Sequence, residues 1–261
     1  MNDYDYQMTT INALSTAEQI SGAGDAILYL HGWGANIGLI VPLAERLTRF
    51  GYRNYIVDLP GFGHSAPPSK AWTVYDYAQW VIAYLDTHRL EQVYLFGHSF
   101  GGRLGLILGA QYPQRIKKMV LSDAAGIKAS TPLWLQIRLK SYQTMRDTLY
   151  QVGLTSLADR LRQAYNQRYG SSDFQQVSGV MRETFIHVVN EDLLPLASQV
   201  RVSTLLFWGD QDTDTPLWMG QKLEQAIPDA GLVVHAGAGH YAYLEQADET
   251  ARVMHYFFTH D

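Results

Sequence analysis

The chain has 261 residues, 47% of them hydrophobic and 17% charged, with a net charge of −5 and no cysteine. That length and apolar content suit one large globular domain, or one domain with an inserted module, with ample core. The missing cysteine excludes disulfides, thiolate metal sites and cysteine nucleophiles, and without a long basic block a nucleic-acid partner is not expected.

The opening Met1-Asn2-Asp3-Tyr4-Asp5 is acidic, without the basic-then-apolar order of a signal peptide, and no apolar run approaches the roughly 20 residues of a membrane span. The expectation is a cytoplasmic protein. Met8 to Gly24 is faintly patterned and predicts two short edge strands joined by a turn. Ala26 to Leu30 is a compact apolar run that reads as a strand. It ends in His31-Gly32-Trp33-Gly34, and a helical pattern follows with Ile40, Leu43, Leu47 and Phe50 on one face. Tyr52 to Val57 predicts a second buried strand, closed by a tight loop over Asp58-Leu59-Pro60-Gly61-Phe62-Gly63-His64-Ser65. Thr73 with Asp76 forms a capping box ahead of Val74, Tyr77, Ala78, Val81 and Leu85 at helical spacing.

Gly97-His98-Ser99-Phe100-Gly101 sits between a predicted strand, Gln92 to Phe96, and a predicted helix, Gly102 to Tyr112. A strand that turns into a helix this abruptly strains the serine backbone, and glycine on either side lets neighbouring chain approach. This is the pattern of a nucleophile elbow, with the serine hydroxyl lifted to the start of a helix where negative charge is favoured. Ile116 to Leu121 is a further strand ending at Asp123. From Gly126 to about Gln199 strand signals vanish. Three helical patterns replace them: Leu135 to Leu149, Leu157 to Tyr165, and Phe174 to Val188. Strand rhythm resumes with Thr204 to Trp208, then Gly209-Asp210-Gln211-Asp212-Thr213-Asp214 and a helix opened by Thr215-Pro216. Leu232 to His235 is the last strand, followed by the loop Gly237-Ala238-Gly239-His240. Asp248 is then expected to cap a final helix with Val253 and Phe257 on its inner side.

Alternating strands and helices predict a parallel sheet with helices on both faces, and in such sheets chemistry gathers at the carboxyl ends of the strands. His31, Asp58, Ser99 and Asp123 all follow a strand end. A serine nucleophile needs a base, and the base needs an acid to hold its tautomer, in the chain order Ser, acid, His. Among nine histidines His240 fits best, on a glycine-flanked loop after the last strand, whereas His235 and His255 fall inside a strand and a helix. Asp212 is the preferred acid, with Asp210 and Asp123 as competitors. The two donors of an oxyanion hole are expected from the N–H groups of Trp33 and Phe100.

These motifs, with Trp208-Gly209-Asp210-Gln211-Asp212, Pro216, and Gly239-His240 ahead of Leu244-Glu245-Gln246, resemble the α/β-hydrolase superfamily from about Gly24 to the C-terminus, the helical insert excepted. The resemblance implies a mostly parallel eight-stranded sheet with helices on both faces. It implies a hydrolase core of residues 1–125 and 200–261 and a helical cap over 126–199. The triad would be Ser99, Asp212 and His240, acting on a small-molecule ester with no cofactor and no metal. Serine at the elbow departs from the aspartate of haloalkane dehalogenases and epoxide hydrolases. His98 stands where carbon–carbon bond hydrolases usually carry asparagine, and the loop at Asp58 differs from that of prolyl aminopeptidases.

Two readings of other classes compete. Gly32, Gly34 and Asp58 imitate a dinucleotide-binding fingerprint, but the third glycine falls at Gly38, one residue late. Some hydrolase-fold proteins keep the triad and serve as ligand receptors or stress-signalling regulators, which turnover of model esters would separate from an enzyme. Finally, Lys128, Arg138, Lys140, Arg146, Arg160, Arg162 and Arg168 face only Asp147 and Asp159 over the same stretch. A cationic cap would favour anionic substrates, such as esters bearing a second carboxylate; solvated helix faces are the plainer account.

Overall fold

Side chains on successive strand residues point to opposite faces, so a strand covered on both sides must be apolar throughout. The computed structural model, which describes residues 4–128, 133–169, 174–175 and 177–260, contains eight strands, and the condition is met best at the centre of their sheet. They are β1 (Gln7–Ile11), β2 (Leu14–Gly22), β3 (Asp25–Leu30), β4 (Tyr52–Val57), β5 (Val93–His98), β6 (Ile116–Ser122), β7 (Thr204–Gly209) and β8 (Ala230–His235). They form one sheet in the order β1-β2-β4-β3-β5-β6-β7-β8. β2 runs antiparallel to both β1 and β4, and every other pairing is parallel. In β3, Leu28 and Leu30 enter one core while Ile27 and Tyr29 enter the core on the opposite face; in β5, Leu95 and Phe96 divide in the same way.

The helices that cover this sheet are α1 (Ile37–Arg49), α2 (Val74–Thr87), α3 (Phe100–Gln111), α8 (Leu217–Ala226), α9 (Ala242–Glu245) and α10 (Ala247–Thr259). α2, α3 and α8 bury Tyr77, Leu104 and Leu223 on one face, and α1 and α10 bury Leu43 and Met254 on the other. The predicted capping box of α2 is present: the Asp76 N–H donates to Thr73 Oγ1 at 3.2 Å, and the Thr73 N–H donates to Asp76 Oδ2 at 2.7 Å. Between β6 and β7 the described residues form α4 (Leu133–Gln151), α5 (Thr155–Tyr169), α6 (Gly179–Asn190) and the short α7 (Leu194–Ala197). Among the described residues no helix is long and apolar enough to cross a membrane.

Several expectations shift. β2 is an internal strand, not an edge, because β4 pairs on its far side. Phe50 caps α1 and stacks on His255 at 4.4 Å instead of facing the core. Asp248 lies inside α10, whose N-cap is Gln246; its carboxylate accepts from Arg46 at 2.5 Å. The inner face of α10 is Ala251, Met254 and Phe258, and Val253 and Phe257 flank it. The third helical pattern of the insert starts only at Gly179, so Phe174 and Val177 precede the helix. The side chain of Leu135 lies outside the described residues.

β3 leads through α1 to β4 on one side, and β5 leads through α3 to β6 on the other, so the connections diverge between two strands that pair directly. That divergence opens a crevice at the carboxyl ends of β3 and β5. The loop His31-Gly32-Trp33-Gly34 and Ser99 both start there.

Candidate active site

β5 ends at His98 and α3 starts at Phe100, so the whole turn is made by Ser99, at φ 50 and ψ −104. A non-glycine residue in this region costs about 1–3 kcal/mol and persists only where its surroundings hold it. Those surroundings are backbone bonds. The Ser99 N–H donates to Ser122 O at 3.1 Å, and Ser99 O accepts from Ala125 N at 3.0 Å and Arg103 N at 3.2 Å. The Gly101 N–H donates to His31 O at 3.1 Å, tying the elbow to the loop after β3. A Cβ on Gly101 would lie 2.0 Å from Leu30 O, and one on Gly97 would lie 2.5 Å from Gly101 O. Gly101→Ala therefore drives a methyl group into the main chain of β3. It is expected to cost about 3 kcal/mol or more, read as a fall in the urea midpoint at unchanged slope.

The other groups come from strand ends that the sheet places side by side. His240 Nε2 lies 3.1 Å from Ser99 Oγ, and His240 Nδ1 lies 2.8 Å from Asp212 Oδ2. Asp212 is held on both oxygens. Its Oδ1 accepts the N–H groups of Asp214 and Thr215 at 2.8 and 3.0 Å, and its Oδ2 accepts the Thr215 hydroxyl at 2.6 Å. Burial alone would raise the Asp212 pKa, but the bonds from His240 and Thr215 outweigh it and hold the group below the usual carboxylate value. His240 is the converse: burial disfavours its charged form, yet the bond and charge of Asp212 raise its pKa above the ordinary 6.5.

The competing acids are occupied elsewhere. Asp210 is exposed and accepts the Gly237 N–H at 2.8 Å, holding the loop that carries His240. Asp123 is fully buried. Its Oδ1 accepts the Gly209 N–H at 2.9 Å and its Oδ2 the Ser122 hydroxyl at 2.8 Å. Burial pushes its carboxyl up to about 7 against those two bonds, and the neighbouring Asp212 charge pushes the same way. Among the described residues only Asp212 bonds the His240 ring through a carboxylate.

His31 and Asp58, singled out by their places after strands, build loops. The His31 ring is neutral because burial lowers its pKa. It accepts the Leu59 N–H at Nε2, 2.9 Å away, and its Nδ1–H donates to Gly32 O at 2.7 Å. Asp58 accepts the Ile37 N–H at 2.7 Å and the His64 N–H at 2.8 Å. The N–H groups of Trp33 and Phe100 donate to no backbone acceptor among the described residues. Both residues line a cavity of about 340 Å³ together with Ser99, His240 and Phe185.

Two residues that the motifs did not assign complete the site. His98 lies between the loop after β3 and the loop of His240: its Nε2–H donates to His240 O at 2.8 Å, and a Cβ on Gly32 would meet its Nδ1 at 2.8 Å. Burial and the neighbouring His240 pull its pKa to about 3, so the ring is neutral. Arg103, one turn into α3, lines the cavity and is 7% exposed. The signal that marks it is an arginine inside an otherwise apolar helical stretch, Phe100 to Gln111. By contrast, none of the seven cations counted in the insert lines the Ser99 cavity. Arg146 and Arg162 face a separate groove among α4, α5 and α6, of about 1050 Å³, and pair with Asp147 at 2.7 Å and Asp159 at 3.1 Å.

Comparison with known proteins places the fold. A family profile described as alpha/beta hydrolase fold matches residues 25–186, and one described as TAP-like protein matches residues 188–260. The chain is 30% identical over 252 residues to the 2-hydroxy-6-oxo-6-phenylhexa-2,4-dienoate hydrolase of Comamonas testosteroni, covering 89% of this chain and 87% of that protein. It is 28% identical over 252 residues to the pimeloyl-[acyl-carrier protein] methyl ester esterase of Chromobacterium violaceum, covering 89% and 94%. The crystallised meta-cleavage product hydrolase of Pseudomonas fluorescens IP01 superposes with a TM-score of 0.73 over 97% of both chains at 24% identity, a likeness of fold.

Proposed function

This chain belongs to the α/β-hydrolase family, and we propose that within it the chain is a serine hydrolase cleaving small carboxylic esters through an acyl-enzyme at Ser99. The observation that carries this reading is the continuous hydrogen-bond path from Ser99 through His240 to Asp212 at the wall of a cavity. Ser99 Oγ attacks the ester carbonyl carbon while His240 Nε2 takes the hydroxyl proton, and Asp212 stabilises the imidazolium that forms. The carbonyl oxygen becomes an oxyanion between the N–H groups of Trp33 and Phe100. Collapse breaks the bond to the alcohol oxygen, which leaves with the proton from His240. Water then adds to the acyl carbon, giving its proton to His240, and a second collapse frees the acid and returns the proton to Ser99. Residues 126–199 act as a cap on the core of residues 1–125 and 200–261, with Phe185 and Val188 of α6 in the cavity wall.

The pH dependence follows from the raised pKa of His240. The base is protonated and idle below that value, so kcat/KM should rise with pH through an apparent pKa above 6.5 and then level off. Asp212→Asn removes the group that raises it, so the rising limb should move to lower pH. A limb that stays in place in this variant separates Asp212 from His240 titration.

The esterase from Chromobacterium violaceum is named for a methyl ester substrate, which supports ester cleavage. The hydrolase from Comamonas testosteroni is named for a dienoate, and its similarity favours a second reading, hydrolysis of a carbon–carbon bond by the same residues. Steady-state turnover decides between them. Higher kcat/KM on p-nitrophenyl esters of graded acyl length than on 2-hydroxy-6-oxo-6-phenylhexa-2,4-dienoate supports the first reading, and the reverse order supports the second. A single burst without further turnover on every substrate would instead favour a ligand receptor.

A further inference from the structure

A buried charge is costly unless something pairs it. Arg103 is 7% exposed and enters no salt bridge among the described residues. Among the described residues its one hydrogen bond from the side chain runs from Nη1 to Glu191 O at 2.9 Å. A guanidinium carries five N–H donors in a planar fork. Among the described residues its other nitrogens have no hydrogen-bond partner, and the residue lines the cavity beside Ser99. Burial pulls its pKa down to about 10, a fall limited by the charges of Glu191 and Asp192, which leaves it cationic at neutral pH.

Its position is set by the elbow. The Arg103 N–H donates to Ser99 O, so Arg103 lies in the first turn of α3 just beyond the elbow, and both residues line the same cavity. The acidic lining residue, Asp214, has its carboxylate within 4.8 Å of ligand atoms of Asp212 and His240. Ala125, Phe185 and Val188 supply apolar wall to the same cavity. The cavity therefore offers a nucleophile, an apolar surface and an unpaired planar cation within one turn of helix.

We propose that Arg103 receives a carboxylate of the substrate, so that the site selects monoesters of short dicarboxylic acids over neutral esters of equal length. The inference rests on Ser99 being the nucleophile, and it locates the anion preference in α3 of the core, not in the cations of the insert. The competing role for Arg103 is a strut that ties α3 to the segment after α6 through Glu191 O.

The test compares monomethyl glutarate with methyl pentanoate, which have acyl chains of equal length. Wild-type kcat/KM should favour the hemi-ester by about 10- to 100-fold, the range of a charge-assisted hydrogen bond read as a ratio. In Arg103→Met the ratio should fall to about 1, and Arg103→Lys should restore part of it. Equal wild-type values overturn the proposal, as does a variant that slows both esters in the same proportion, the result a strut gives. The wild-type ratio needs no variant, so it decides even if Arg103→Met does not fold. Calorimetric titration of Ser99→Ala with monomethyl glutarate and with methyl pentanoate, which differ in the free carboxylate, separates this inference from the ester reading. If wild-type protein hydrolyses neither ester but the hemi-ester binds at least 10-fold more tightly, the carboxylate seat stands and the ester assignment fails. Equal binding removes the seat.

Discussion

Ser99→Ala is expected to lower kcat on esters by about a million-fold, the scale seen when the nucleophile of a serine hydrolase is removed. The reason is chemical and local. Alanine keeps the Cβ and therefore the strained backbone at φ 50, the bonds to Ser122 O and Ala125 N, and the packing of α3 against β3. Only the oxygen 3.1 Å from His240 Nε2 is lost. Stability should change by no more than about 0.5 kcal/mol in urea unfolding, because no buried apolar contact is removed. An alkyl fluorophosphonate should add to Ser99 alone in peptide mass spectrometry and leave Ser99→Ala unlabelled. Equal labelling of the variant would move the nucleophile elsewhere, and retained turnover without labelling would dismiss the acyl-enzyme.

The frame that holds Ser99 was legible in the chain because each part has a local cause. The pattern Gly97-x-Ser99-x-Gly101 carries its own steric reason, since both glycines face main chain within 2.5 Å of where a Cβ would sit. The buried strands β3, β5 and β7 read as apolar runs, which two covered faces favour, and β4 and β6 turn apolar after Arg53-Asn54 and Lys117-Lys118. What failed depended on neighbours. β2 is faintly patterned and ends in glycine, and only the long-range pairing with β4 makes it internal. Phe50 keeps the helical spacing of α1, yet the helix ends before it and His255 from α10 receives its ring. In α10 the core takes Ala251, Met254 and Phe258, and Val253 and Phe257 are only partly buried at the edges of that face, a choice made by how the helix lies on the sheet. The charge count over the insert does not bear on the Ser99 cavity, since none of those seven cations lines it and Arg146 and Arg162 face a different groove. Arg103 was passed over because counting charge along a segment cannot register a single cation buried beside the nucleophile.

Asp212→Asn should lower kcat by about 10 000-fold, whereas Asp210→Asn and Asp123→Asn should stay within about tenfold of wild type. The asparagine would turn an amide group toward His240 Nδ1, stabilise the wrong tautomer and leave the imidazolium without its counter-charge. Asp210 makes no such bond; its loss releases the Gly237 N–H on an exposed loop. Asp123 is the sharper control because it is buried, close in charge to the site and titrates near neutrality, with its carboxyl pushed up to about 7 by burial. An amide can still accept the Gly209 N–H through its oxygen, so the strand ends of β6 and β7 stay joined. Its charge does help to raise the His240 pKa, so Asp123→Asn should move the rising limb of kcat/KM to lower pH while kcat on the plateau barely changes. The two aspartates are thus distinguished by different readouts. The loss of Asp212 costs plateau turnover, and the loss of Asp123 shifts only the pH at which the plateau is reached. If Asp123→Asn proved the more damaging on the plateau, the acid of the site would come from the end of β6, and the bond between Asp212 and His240 would be structural.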